Sequence, residues 1–215
     1  EFKRNPQEIR LIAVSKFFGV DAINEANSLG ITDFGENKAQ ELRDKHEILG
    51  DKVAWHFIGT LQRNKVKYAV KAAAYIHSVD SLILAEEINT QAVKLKKVQK
   101  ILLEVNASLE DSKSGLMDTA QVFELSMHCS TLSNIELVGL MTMAPFTDDE
   151  NRIRKSFSDL RKLKDEINKN GFELSELSMG MTNDYEIAIE EGATMLRIGS
   201  AIFGQRDITK DWRKS

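Results

Sequence analysis

Short apolar, β-branched runs recur along this chain of 215 residues, and most are followed by a stretch whose apolar positions advance by three or four. Runs at 11–16, 31–37, 55–59, 75–80, 100–107, 135–144, 176–181 and 195–200 read as eight strands. Segments 20–29, 64–73, 81–97 and 149–170 read as amphipathic helices. In the last of these, Ile153, Phe157, Leu160, Leu163 and Ile167 form one apolar stripe. Arg152, Arg154, Lys155, Arg161 and Lys162 lie largely off it, as a solvated face. Gly30, Gly171 and Gly192 each mark a helix end before a new strand. Strand–helix alternation without a hairpin signal predicts a parallel sheet. Eight units favour closure into a single (β/α)8 TIM barrel of the α/β class over the alternative, an open doubly wound sheet. No linker or low-complexity tract divides the chain, so residues 1–215 read as one domain, with a short last helix or one supplied from elsewhere.

In such a barrel, chemistry gathers at the carboxyl ends of the strands. Here those ends present Lys16, Asn37, His56, Asn106, Met141 to Met143, Ser178 to Gly180 and Arg197 to Ser200. Side chains alternate along a strand, so if Ile12 and Val14 fill the barrel, Lys16 stands over its mouth. It is either a lysine reaching solvent or an amine of depressed pKa able to form an imine with a bound aldehyde. The same alternation turns Met195, Arg197 and Gly199 inward. A guanidinium inside a barrel needs an acceptor, either a carboxylate or a ligand heteroatom.

Barrels commonly hold phosphate in the loops after strands seven and eight. Gly180 and Gly199 allow close backbone approach there, the hydroxyls of Ser178 and Ser200 can donate, and Thr182 or Asn183 can cap the next helix. His56 either lines the pocket or holds strand three in place.

Composition narrows the field. A net charge of −4 argues against a nucleic-acid surface but not against one small anion. Cys129 is the single cysteine, so no internal disulfide can form and a reducing, cytoplasmic compartment is expected. Its helical setting predicts a buried structural thiol. No apolar stretch is long enough to cross a bilayer, and no signal peptide is visible. The dinucleotide, Walker and nucleophile-elbow motifs are absent, and His46, His56, His77 and His128 share no ligand spacing, so no metal is expected.

The segments Ala13-Val14-Ser15-Lys16, Phe34-Gly35-Glu36-Asn37, Trp55-His56-Phe57-Ile58-Gly59 with Leu61-Gln62 and Asn64-Lys65, Lys113-Ser114-Gly115, Gly139-Leu140-Met141, Ser178-Met179-Gly180-Met181 and Arg197-Ile198-Gly199-Ser200-Ala201-Ile202-Phe203-Gly204 occur in this order. Together, from about Leu11 to Asp207, they resemble the pyridoxal 5′-phosphate (PLP) homeostasis proteins, the YggS/PROSC family. The resemblance implies a barrel like the N-terminal domain of alanine racemase, with PLP held as a Schiff base on Lys16. It further implies that Arg197 faces the pyridine nitrogen and that Ser178, Gly199 and Ser200 hold the phosphate. Asn37, His56 and Gly180 match family motifs near the pocket. The family usually has a helix before strand one, so the N-terminal helix is expected to be truncated here. Thr182 stands where the family commonly has serine.

Two functions fit the resemblance: a non-catalytic PLP carrier and regulator, and a PLP-dependent amino-acid racemase. Racemisation needs a base on each face of the substrate, and the racemase takes its second from a tyrosine of an extra domain. Tyr68, Tyr75 and Tyr185 do not lie at the predicted barrel mouth. A cation opposite the pyridine nitrogen also disfavours ring protonation and weakens the electron sink. The expectation is therefore a cytoplasmic, monomeric carrier with no catalytic residue, whose recipients are apo PLP-dependent enzymes.

Overall fold

In a closed parallel barrel each strand is buried on both sides, so alternate residues fill the interior and the helix-facing layer. The computed structural model, which describes residues 4–106, 115–116 and 118–204, sorts the apolar residues in this way. Its strands are β1 (Arg10–Val14), β2 (Asp33–Glu36), β3 (Ala54–Phe57), β4 (Tyr75–Val79), β5 (Gln99–Glu104), β6 (Ile135–Met141), β7 (Glu176–Ser178) and β8 (Met195–Ile198). They pair in sequence order, all parallel, and β8 closes on β1 with Ile12 opposite Arg197. Ile12, Tyr75, Leu102, Val138, Met141 and Met195 form the interior cluster. Ala13, Phe34, Trp55, Phe57, Leu103, Leu140 and Leu196 belong to the larger cluster shared with the helices.

The helices are α1 (Val20–Ser28), α2 (Ala39–Leu49), α3 (Val66–Ala72), α4 (Leu82–Lys94), α5 (Thr119–Ser130), α6 (Glu150–Lys169), α7 (Tyr185–Glu190) and α8 (Ser200–Phe203). The sequence-based reading of eight strand–helix units in one closed barrel therefore holds. On α6 the predicted stripe buries Ile153, Phe157, Leu160 and Ile167. Asp149 caps the helix by accepting from the N–H groups of Asn151 and Arg152. Its basic face pairs with α7: Arg154 bridges Glu190 and Glu191, and Arg161 reaches Glu191. Cys129 is buried in α5, and burial pushes its thiol up to about 12, so it is an inert packing residue.

The boundaries differ from the sequence reading where the chain turns at the barrel mouth. The first strand stops at Val14, two residues short of Lys16. Ala107, the Lys113-Ser114 pair of the family motif, and residues 205–215 lie outside the described residues. Among the described residues, no helix is long and apolar enough to cross a membrane.

Candidate functional site

Lys16 sits in the turn between β1 and α1, half-buried at the barrel mouth. The turn is tied to the sheet by Ser15 N–H donating to the Gly35 carbonyl (3.1 Å) and closed by Phe18 N–H donating to the Ser15 carbonyl (3.0 Å). Phe17 takes φ +72°, a left-handed conformation that is costly for a bulky residue. The ring of Phe18 stacks on that of Phe203 with centroids 4.9 Å apart. Strands one and eight are neighbours in the barrel, and this contact joins the Lys16 turn to the short helix that follows Gly199.

Arg197 points inward from β8, as the alternation predicts, and is almost fully buried. Its Nη1 donates to Ser178 Oγ (2.7 Å) and its Nη2 to the Thr142 carbonyl (2.8 Å). Burial lowers its pKa to about 10 against the attraction of Asp184 and Glu104, so it keeps its charge at neutral pH.

From Ser178 a chain of hydrogen bonds runs through the barrel interior. Ser178 Oγ lies 2.9 Å from His77 Nδ1, His77 Nε2 lies 2.9 Å from His56 Nδ1, and His56 Nε2 lies 2.9 Å from Asp33 Oδ1. Burial lowers the pKa of His77 well below the ordinary histidine value, helped by His56 and the nearby arginines. Burial also lowers that of His56, although Asp33 opposes the shift. Burial alone would raise Asp33, but hydrogen bonds from His56 and Thr32 outweigh it and hold the carboxyl below its ordinary range. Both imidazoles are therefore neutral. His56 also stacks on Tyr75, the first residue of β4, at 4.8 Å. It therefore occupies the lower half of the barrel and reaches the mouth only through His77 and Ser178.

The other predicted site residues divide by position. Ser178 is fully buried and its hydroxyl is engaged by Arg197 and His77, so it braces Arg197 from below. Ser200 is exposed, and its Oγ meets Thr182 Oγ1 at 3.2 Å, which brings the loops after β7 and β8 together. Gly199 precedes α8. Gly180 has φ +93°, its carbonyl accepts from Arg197 N–H (2.9 Å), and a Cβ on it would lie 2.6 Å from Ala188 Cβ. Glycine there lets α7 pack against β8. Asn37 lines a cavity of about 250 Å³ with Lys38, Phe57, Gln62 and Lys65. Its Oδ1 is buried with no hydrogen-bond partner among the described residues.

Several residues of the site escaped the sequence reading. Glu104 ends β5 on the inward face it shares with Leu102, and burial raises its carboxyl to about 7, with Asp80 adding to the rise and Arg197 opposing it. His77 completes the interior chain. Beneath the Lys16 turn, Lys45, Glu36 and Glu41 form a buried ionic cluster. A signal for the cluster existed: Lys45 falls on the stripe formed by Ala39, Leu42 and Leu49, and Glu36 shares a strand face with Phe34.

Comparison with known proteins identifies the fold and the family. Residues 3–207 match the family model described as alanine racemase, N-terminal domain. A pyridoxal phosphate homeostasis protein of Aquifex aeolicus is 42% identical over 199 residues, covering 92% of this chain and 87% of that protein. One of the same name from Vibrio alginolyticus is 40% identical, with 95% and 89% covered. The structure of PipY of Synechococcus elongatus PCC7942, solved with PLP bound, superposes with a TM-score of 0.86 at 36% identity, covering 94% of this chain and 95% of that one. Alanine racemase of Clostridium difficile 630 shares the fold at 15% identity and a TM-score of 0.77, with 54% of its length covered. The chain belongs to the pyridoxal phosphate homeostasis protein family, built on the barrel of the alanine racemase N-terminal domain.

Proposed function

We propose that this protein binds PLP at the barrel mouth as a Schiff base on Lys16 and carries or buffers it, without robust catalysis of its own. The observation that carries the reading is the Phe18–Phe203 stack, which sets the Lys16 turn beside the Gly199–Ser200 loop, with Arg197 on the adjoining strand. The donor set fits the group. Lys16 offers an amine to the aldehyde, Arg197 offers a fixed cation to the ring nitrogen, and Ser200, Thr182 and the Gly199 backbone offer donors to the phosphate. Gly180 shapes the loop, Ser178 and His56 act through Arg197, and Asn37 offers an amide from the end of β2, where it lines a cavity whose walls include neither Lys16 nor Arg197. Bound there, PLP supplies a reversible covalent link to an amine and an electron sink. Arg197 weakens that sink, since a cation opposes ring protonation.

The carrier acts as a cytoplasmic monomer and delivers PLP to apo PLP-dependent enzymes. Tyr75 lies in the barrel floor, the Tyr68 ring packs against Arg43, Lys65 and Lys67, and Tyr185, at the start of α7, donates its hydroxyl to Glu186 at the surface, so the carrier reading assigns none of the three as a second base. One observation favours the alternative, an amino-acid racemase: Glu104 is an inward carboxyl that titrates near neutrality. Incubation with L-alanine in deuterated water separates the two. A carrier gives no inversion, and PLP-loaded protein reactivates an apo enzyme beyond what the same total free PLP achieves. Inversion at about 1–1000 per second, lost in Glu104→Gln, would establish the racemase.

A further inference from the structure

The strongest unexplained feature outside the pocket is an ammonium with no exposure at all. Lys45 lies on the apolar stripe of α2, and its side chain is fully buried. Its Nζ donates to Glu36 Oε1 (2.6 Å), to Glu41 Oε1 (2.9 Å) and to the Ser15 carbonyl (2.9 Å). Three acceptors satisfy all the donors an ammonium has.

The targets flank one residue. The Ser15 carbonyl belongs to the peptide that joins Ser15 to Lys16. Ser15 Oγ donates to Glu36 Oε1 (2.6 Å), so the side chain of that residue is tied to the cluster as well. On the other side, Phe17 N–H donates to Glu41 Oε1 (3.0 Å), the same oxygen that accepts from Lys45. The chain is thus held immediately before and immediately after Lys16 by groups that converge on one buried cation. At the second anchor, Phe17 sits in a left-handed conformation that residues other than glycine rarely adopt.

Stability alone does not account for this arrangement. Desolvating one cation and two carboxylates is expensive, and well-packed apolar residues generally do as well or better in such places. A buried ionic cluster earns its position by geometry, because each hydrogen bond fixes a direction that an apolar contact leaves free. We propose that Lys45, Glu36 and Glu41 act as a buried positioning clamp that fixes the main chain on both sides of Lys16 and so sets where its amine meets an aldehyde. This inference rests on the assignment of Lys16 as the PLP-bearing residue. The three act through the backbone, so they are positioning residues.

The test compares two ligands on the purified protein. PLP trapped by borohydride reports imine formation on Lys16, and pyridoxine 5′-phosphate, which has no aldehyde, reports binding alone. Glu41→Ala and the charge-neutral double variant Glu36→Gln/Lys45→Met should slow trapping by at least about tenfold, because small misplacements of a reacting group are costly. Affinity for pyridoxine 5′-phosphate should change by less than about threefold, since its contacts lie elsewhere. Glu41→Gln keeps an acceptor for Phe17 N–H and should recover most of the native rate. Ser15→Ala removes a single bond of the network and should slow trapping by less, which keeps the test decisive if the harsher variants do not fold. Native trapping rates in the folded variants, a parallel loss of pyridoxine 5′-phosphate binding, or no recovery in Glu41→Gln would overturn the clamp. Native protein that traps no PLP on Lys16 would instead overturn the assignment of Lys16.

Discussion

Arg197 and Asp33 stand at the two ends of one chain of buried hydrogen bonds that crosses the barrel through Ser178, His77 and His56. The ends fix its direction. A guanidinium only donates and an ionised carboxylate only accepts, so each group between them has a single role. Ser178 accepts from Arg197 and donates to His77 Nδ1, His77 donates from Nε2 to His56 Nδ1, and His56 donates from Nε2 to Asp33. Arginine does not give up its proton, so the chain holds Arg197 still and does not conduct protons.

That direction predicts the state of both histidines. Imidazole ¹⁵N–¹H correlation spectra should show His56 and His77 neutral, each with its proton on Nε2, and still neutral below the ordinary histidine value of about 6.5. Because their folded pKa values are depressed, the unfolded chain binds protons first as pH falls, and this contribution to stability is lost below that value. An Nδ1–H tautomer, or titration near the ordinary value, would contradict the chain.

Ser178→Ala removes the hydroxyl that accepts from Arg197 Nη1 and leaves a buried charged donor unpaired. The expected loss is about 1.5–3 kcal/mol of folding stability, the range for hydrogen bonds to charged groups. Urea unfolding reads it as a lower midpoint at unchanged slope. A loss below about 0.5 kcal/mol would show that the surroundings replace the bond.

Glu104 gives the opposite pH dependence. Its carboxyl rises from 4.5 to about 7 on folding, so the folded state holds the proton more tightly. Its contribution is fully present below about pH 4.5 and is lost as pH rises towards 7. Burial raises Glu36 to about 7 as well, against Lys45, so native stability alone does not isolate Glu104. The difference between native protein and Glu104→Gln does: the variant should gain on the native protein between pH 5 and 8, by up to about 3 kcal/mol. A constant difference over that range would place the carboxyl in contact with solvent or a cation.

Gly180→Ala tests the loop after β7. The added Cβ would meet Ala188 and Leu196 at 2.6 and 2.8 Å in a backbone of φ +93°. Strain and overpacking together should cost roughly 2–5 kcal/mol, seen as a marked drop in Tm. A native Tm would mean that α7 moves aside freely.

Much of this was legible in the sequence. The alternation of strands and helices gave the barrel, and period two turned Ile12 and Arg197 inward as observed. The turn after Val14 was less legible, because what holds it comes from β2 and α2, on residues distant in sequence. Reading Lys45 needed attention to one lysine among apolar stripe positions, where charged residues are ordinarily assigned to solvent. His77 and Glu104 lie on strands buried on both sides, where hydropathy alone does not separate inward from outward positions. The position of Ser178 in the loop motif points to a phosphate donor. Its burial under Arg197 depends on a register that only the closed barrel reveals.

The most direct test of the account is the covalent attachment itself. Purified protein incubated with PLP, reduced with borohydride and digested should yield one pyridoxyl-modified peptide, with the label on Lys16. Lys16→Ala should yield none while retaining some affinity for PLP through the phosphate loops. A label on Lys38, Lys65 or any other lysine, or no label in the native protein, would contradict the assignment of this barrel mouth as a PLP site built on Lys16.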